Sequence, residues 1–124
     1  LYRPTHMIGL ELGLSVASAA LRKEPTGSAF CFNSDVVATA KRALKKGEML
    51  DGEGGFCVWG KQTPAEVSTK EGFLPLGLAH NVKLKGDVAE GQRIKWSDVE
   101  IDTSDAAYKF RREMEAAFPK PQAF

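Results

Sequence analysis

The longest apolar stretch of the chain lies at its start. Between Pro4 and Pro25, the residues Met7, Ile8, Leu10, Leu12, Leu14, Val16, Ala17, Ala19, Ala20 and Leu21 surround one narrow polar stripe of Glu11, Ser15, Ser18 and Arg22 at 4-3-4 spacing. Pro4 suits a first helical position and Pro25 with Gly27 a stop, so the pattern predicts a helix over about 5–23. A helix apolar over most of its circumference needs walls on more than one side, and a small β domain supplies only one. It is therefore expected to dock on a sister subunit or on a preceding domain. Gly9 and Gly13, four apart, either permit close helix approach or are simply tolerated.

Further on, the period shortens. "DVVATAKRAL" (35–44) is rich in β-branched residues, "FCVW" (56–59) is a short apolar run and "QRIKW" (92–96) alternates, with Gly and Asp clusters between them. The tail returns to helical spacing. Asp102, Thr103 and Ser104 are capping candidates, Asp105 falls in the first turn, and Ala107, Phe110, Met114 and Ala117 follow at 3-4-3 before Pro119. Lys109 with Glu113 and Arg111 with Glu115 are expected as weak surface pairs. The fold class is thus mainly β with flanking helices (α+β). Its parts are a helical segment 1–27, a core of short strands over 35–102, and a C-terminal helix and tail over 103–124.

The strand region echoes itself. "KRALKKGEML" (41–50) aligns without gaps to "KGDVAEGQRI" (85–94), at an offset of 44 throughout: Lys41 with Lys85, Leu44 with Val88, Gly47 with Gly91, Leu50 with Ile94. Each copy reads as an apolar anchor three residues before a turn glycine and a second anchor three residues after it. Two copies imply two similar corners related by a pseudo-twofold.

Composition narrows the function classes. At 124 residues the chain holds one domain's worth of core, and a globule of this size buries about two-thirds of its unfolded surface. With 43% hydrophobic and 27% charged residues it has the make-up of a globular protein, and the first helix is too short and interrupted to span a bilayer. Its 17 basic and 16 acidic side chains leave a net charge of +1, which gives no electrostatic reason to expect nucleic acid or an anionic membrane as partner. Lys41, Arg42, Lys45 and Lys46 are answered at once by Glu48, Asp51 and Glu53, the pattern of a solvated turn. Cys31 and Cys57 stand far apart without a Cys-x-x-Cys spacing or clustered histidines, so no metal site is expected, and a reduced cytoplasmic setting fits.

"DGEGGFCVWG" (51–60) is the one stretch with the look of a nucleotide loop. Gly52 and Gly54 fit a dinucleotide fingerprint, but Cys57 occupies the third glycine position and a strand-former follows where a helix N-terminus is required. A wide turn that returns Phe56 and Trp59 to the core is the expectation. Asp98 and Glu100 are read as solvated carboxylates at a strand end, and no Gly-x-Ser-x-Gly elbow or cysteine–histidine neighbour suggests a nucleophile.

"AKRALKKGEMLDGEGG" followed by "LPLGLAHNVKLKGDVAEGQRIKWSDVEID" resembles the SAF or antifreeze-like domain. This β-clip module is found in sialic acid synthases, altronate-type dehydratases and flagellar or pilus assembly chaperones. The resemblance runs from about Asp35 to Asp102. With "YRPTHMIGLELGLSVASAALRKEPTG" ahead and "SDAAYKFRREMEAAF" behind, the whole is similar to the C-terminal region of homoserine-dehydrogenase-like NAD(P)-dependent oxidoreductases, including a branch acting on deoxyxylulose phosphate.

That likeness implies a bacterial C-terminal module of an oxidoreductase, preceded by Rossmann and substrate domains. It would serve homo-oligomer assembly and active-site closure, with no catalytic residue, metal or cofactor site of its own; NAD(P) is implied for the parent protein. A chain that starts at Leu1 without methionine agrees with such a piece. Arg3 and His6 are candidates for reaching an acidic or phosphorylated substrate, against a surface charge and a half-buried helix residue. His80 is a candidate for a cleft, against a satisfied turn histidine. In sialic acid synthases the antifreeze-like domain lends a basic residue to a partner's active site, which makes Lys83 and Lys85 candidates here. The alternative is an independent SAF-type module that binds a sugar acid or another protein chain.

Overall fold

A computed structural model describes residues 4, 5, 7–28 and 30–118. The chain divides into two compact units, Leu1–Phe30 and Cys31–Phe124. In the first, helix α1 (Ile8–Ala17) continues through a single wider π-helical turn, Ser18–Arg22, and Lys23 ends it in a left-handed conformation. The helix starts later than Pro4 suggests, at a point where the Glu11 carboxylate accepts the Met7 N–H. Ile8, Leu12, Leu14, Val16 and Leu21 all stand exposed, Leu21 by 82%. No helix among the described residues is long and apolar enough to cross a membrane.

The second unit is built from β1 (Ser34–Ala40), β2 (Met49–Asp51), β3 (Val58–Pro64), α2 (Ala65–Glu71), β4 (His80–Leu84), β5 (Val99–Glu100) and α3 (Ala106–Ala117). β1 pairs antiparallel with β3 from Ser34↔Pro64 to Ala40↔Val58, and a second sheet runs in the order β2-β4-β5. The 35–44 run is strand only as far as Ala40; Leu44 then returns as an isolated bridge. The opposite edge of β1 is closed by Leu74 and residues 92–94: Ala38 N–H to Leu74 O at 2.8 Å, Ala40 N–H to Gln92 O at 2.9 Å, and Ile94 N–H to Ala38 O at 2.9 Å. Leu44, Leu50, Val58, Leu74, Leu84, Val88, Ile94 and Val99 fill one core between the sheets. Gly60 is required for this closeness, since a Cβ there would lie 2.6 Å from Val36 Cγ1 and 2.8 Å from Leu76 Cδ2.

The internal echo is a pseudo-twofold in the hydrogen bonding. Leu44 and Val88 exchange main-chain bonds of 2.8 and 2.9 Å. Around that centre, Gly47 N–H reaches Leu84 O as Gly91 N–H reaches Ala40 O, both at 2.9 Å. Leu84 N–H reaches Glu48 O as Ala40 N–H reaches Gln92 O, again both at 2.9 Å. The side chains repeat it too: Glu48 accepts from Lys45 N–H, and Gln92 from Ala89 N–H. Gly47 and Gly91 hold φ of +86° and +75°, the left-handed backbone each turn needs. Each turn is fastened by the strand of the other copy, so neither half closes alone. β1 with β3 and residues 92–94 thus corresponds to β4 with β5 and β2.

The tail helix differs from expectation in its cap and in its inward face. Asp105 is itself the N-cap and accepts from Ala107 and Tyr108 N–H at 2.8 and 3.1 Å, while Asp102 holds Ser104 instead. Phe110 faces solvent; Tyr108, Arg111, Met114 and Glu115 are the half-buried side. That face carries the polar network described next.

Candidate functional site

The cleft nearest to the predicted residues opens between the start of β4, the end of β5 and the N-terminus of α3. It encloses about 420 Å³ and is lined by Leu78, His80, Asn81, Val82, Glu100, Ile101, Asp102, Asp105 and Tyr108, with Gly77 and Ala107. His80 is thus among the lining residues and also has a main-chain partner. Its Nδ1 lies 3.2 Å from the Asp51 carbonyl oxygen, and its ring packs on Gly52, whose φ is +72°. The next residue, Asn81, also has positive φ, at +55°. Lys83 and Lys85 are not part of this cleft. They alternate with the buried Val82 and Leu84 and so point away from the core. Arg3 and His6 lie outside the described residues.

Carboxylates set the character of the cleft. Asp102 accepts from the N–H and the hydroxyl of Ser104, bonds that hold its carboxyl below the usual range. Asp105 is committed to capping α3, and Glu100 stands exposed beside them. Such a lining repels an acidic or phosphorylated ligand.

The glycine-rich stretch 51–60 forms a corner, as its glycines require. The Asp51 carboxylate accepts from Phe56 N–H at 2.5 Å and Cys57 N–H at 3.0 Å, while Lys41 Nζ donates to Gly55 O. Burial raises the Asp51 pKa, but these N–H bonds outweigh it and the carboxyl is held low. The expected return of Phe56 and Trp59 to the core does not occur. Phe56 is 85% and Trp59 43% exposed, and Cys57 and Val58 take the buried places. Phe56 falls in the bend before β3, and Val58 takes the inward place at the strand's start, which turns its neighbour Trp59 outward. The Cys57 thiol is pushed up by burial and by the neighbouring Asp51 carboxylate, which keeps it protonated and chemically quiet. Among the described residues no group of three His, Cys, Asp or Glu side chains could hold a metal ion.

Gly52→Ala is expected to cost about 1–2 kcal/mol from its left-handed backbone alone. The added Cβ would also lie 2.9 Å from His80 Nδ1 and displace the ring. A lower urea midpoint together with shifted His80 ring resonances is the expected outcome; an unmoved His80 would show that Gly52 does not position it.

A second polar centre was not anticipated. Arg111, read from sequence as half of a surface pair, is 12% exposed and forms a fork to Asp35, with Nη1 to Oδ1 at 3.1 Å and Nη2 to Oδ2 at 2.6 Å. Its Nε holds Glu115 at 2.7 Å, Ser68 Oγ donates to Asp35 at 2.6 Å, and the guanidinium lies 4.9 Å from the centre of the Phe32 ring. Burial pushes the Asp35 carboxyl up, but the bonds from Arg111 and Ser68, the Arg111 charge and the Val36 N–H bring it below its ordinary value. Next to this, Tyr108 meets Trp96 edge-on at 5.5 Å and Arg112 covers the same indole at 5.6 Å. This network fastens α3 to β1 and α2 rather than forming a reaction site. Asp35 leaves β1 on the face of Val37 and Thr39, opposite the core face of Ala38 and Ala40, and no local pattern marks it for this role.

Two copies of one turn locked crosswise over a shared core define a small pseudo-symmetric β-clip module. The chain belongs to the SAF domain family, whose model matches residues 35–100, more than half of its length. None of the curated proteins matches it.

Proposed function

We propose that this chain is the C-terminal SAF-type module of an NAD(P)-dependent oxidoreductase of the homoserine-dehydrogenase-like kind, serving subunit assembly and active-site closure in the cytoplasm of a bacterium. The observation that carries the reading is α1, with Ile8, Leu12, Leu14, Val16 and Leu21 exposed around its circumference. Exposed apolar surface of that extent marks a contact with further protein. The nicotinamide cofactor would be held by a Rossmann domain preceding this segment, and the chemistry would be carried there. The other reading is a free module that binds a sugar acid or another protein chain; the carboxylates around His80 argue against a sugar acid in that cleft.

Size-exclusion chromatography of the chain with and without residues 1–24 tests the assembly role. The intact chain is expected to run as a dimer or larger species, and the shortened one as a monomer. A well-behaved monomer in both cases overturns the assembly reading.

A further inference from the structure

We propose that the outer face of β3, β1 and residues 92–95 binds a phosphate monoester through Arg93 and Lys61, with Thr39 beneath and Trp59 alongside. This inference stands independently of the parent-enzyme reading. Thr39 pairs directly with Trp59 on one side and Arg93 on the other, and Val37, two residues earlier, pairs with Lys61. These side chains therefore leave the sheet on the same face. The Thr39 hydroxyl is buried and has no hydrogen-bond partner among the described residues. A buried hydroxyl without a partner is a cost, which a ligand oxygen would remove once the neighbouring side chains part to admit it.

The charges around it are unanswered. Arg93 is held over the Phe73 ring, 5.2 Å from its centre, and makes no ion pair among the described residues; Lys61 makes none either. Lys95, on the same face, is instead paired with Glu71 at 3.1 Å. Adjacent strands lie about 4.8 Å apart, so side chains the length of lysine and arginine converge on one anion above β1. Two uncompensated cations match a dianion better than a single carboxylate, and the planar Arg93 fork suits phosphate oxygens. Trp59, 43% exposed, offers a flat surface to whatever carries the phosphate.

The pseudo-twofold supplies an internal control. The row Trp59, Thr39, Arg93 corresponds to Glu100, Lys83, Met49, where the lysine stands directly across from a carboxylate and the third position is apolar. The two halves share a backbone, yet only one has an unbalanced charge over an orphaned hydroxyl.

The test is a nitrogen–proton correlation titration of the full chain with phenyl phosphate, inorganic phosphate and benzoate. The indole resonance of Trp59 and the amides of Thr39, Lys61 and Arg93 are expected to shift saturably with phenyl phosphate, while Trp96 does not move. Inorganic phosphate should bind more weakly and benzoate weakest, and added salt should loosen all three. Arg93→Gln is expected to reduce affinity about 10- to 100-fold, the range for losing a charge-assisted hydrogen bond. Lys61→Gln should reduce it less, and Lys95→Gln and Lys83→Gln should leave it unchanged. No shift with either phosphate, an undiminished response in Arg93→Gln, or binding of single-stranded DNA without binding of phenyl phosphate would overturn the proposal.

Discussion

Arg111→Leu is expected to lower the stability of the second unit by about 3–5 kcal/mol, the cost of removing one member of a buried ion pair. The loss follows from what is left behind: an Asp35 carboxylate that is 6% exposed, with Ser68 and the Val36 N–H as its remaining partners. Urea unfolding measures the loss, and hydrogen exchange over 106–117 should rise with it because Arg111 is the tie between α3 and β1. Asp35→Asn combined with Arg111→Leu should recover much of the stability, since the stranded charge is then gone. A single variant with wild-type stability and protection would mean that α3 is held by its aromatic contacts alone.

The same pair sets an acid dependence. Asp35 has a folded pKa below its unfolded value of about 3.9. Its contribution is therefore complete above that unfolded value and is lost as the pH falls through the lower, folded one. In Arg111→Leu only burial and two weaker bonds remain, so the carboxyl is pushed upward and the variant's deficit should shrink as the solution is acidified. Unfolding midpoints across the acid range would show the two curves converging. Parallel curves would remove Asp35 as the source of the penalty.

Leu50→Ala and Ile94→Ala should each cost about 2–5 kcal/mol, the range for truncating a fully buried aliphatic side chain. Both positions are 0% exposed and stand at equivalent places in the two turn copies. Since each turn is bonded to the strand of the other copy, damage to one anchor should reach both turns. Single domains are stable by only about 5–15 kcal/mol in total. The double variant is therefore expected to be unfolded at room temperature. Amides of Gly47 and Gly91 should lose exchange protection together in either single variant; loss confined to one turn would argue against the crosswise lock.

Much of this architecture follows from local residue order. The apolar first helix, the amphipathic tail helix and the corner at 51–60 are set by periodicity, proline and glycine, all of which act over a few residues. The repeat at an offset of 44 was readable because both turns need the same glycine and the same anchors. His80, Lys83 and Lys85 carry no local mark of which lines a cleft; the course of β4 decides it. Nothing in "GGFCVW" marks where the turn releases the strand, so the outward places of Phe56, in the bend, and Trp59, second in β3, are not legible locally.

The sequence by itself determined the fold class, the two turn copies and the apolar character of the first helix, because those depend on patterns that repeat within a helix turn or a strand pleat. Only the tertiary structure decided that Arg111 reaches Asp35, 76 positions away, and that Thr39 sits between Trp59 and Arg93. These are pairings across elements, and their geometry exists only once the sheet has closed. A carboxylate or hydroxyl in a strand carries no local mark of the partner that the fold will bring to it or withhold from it.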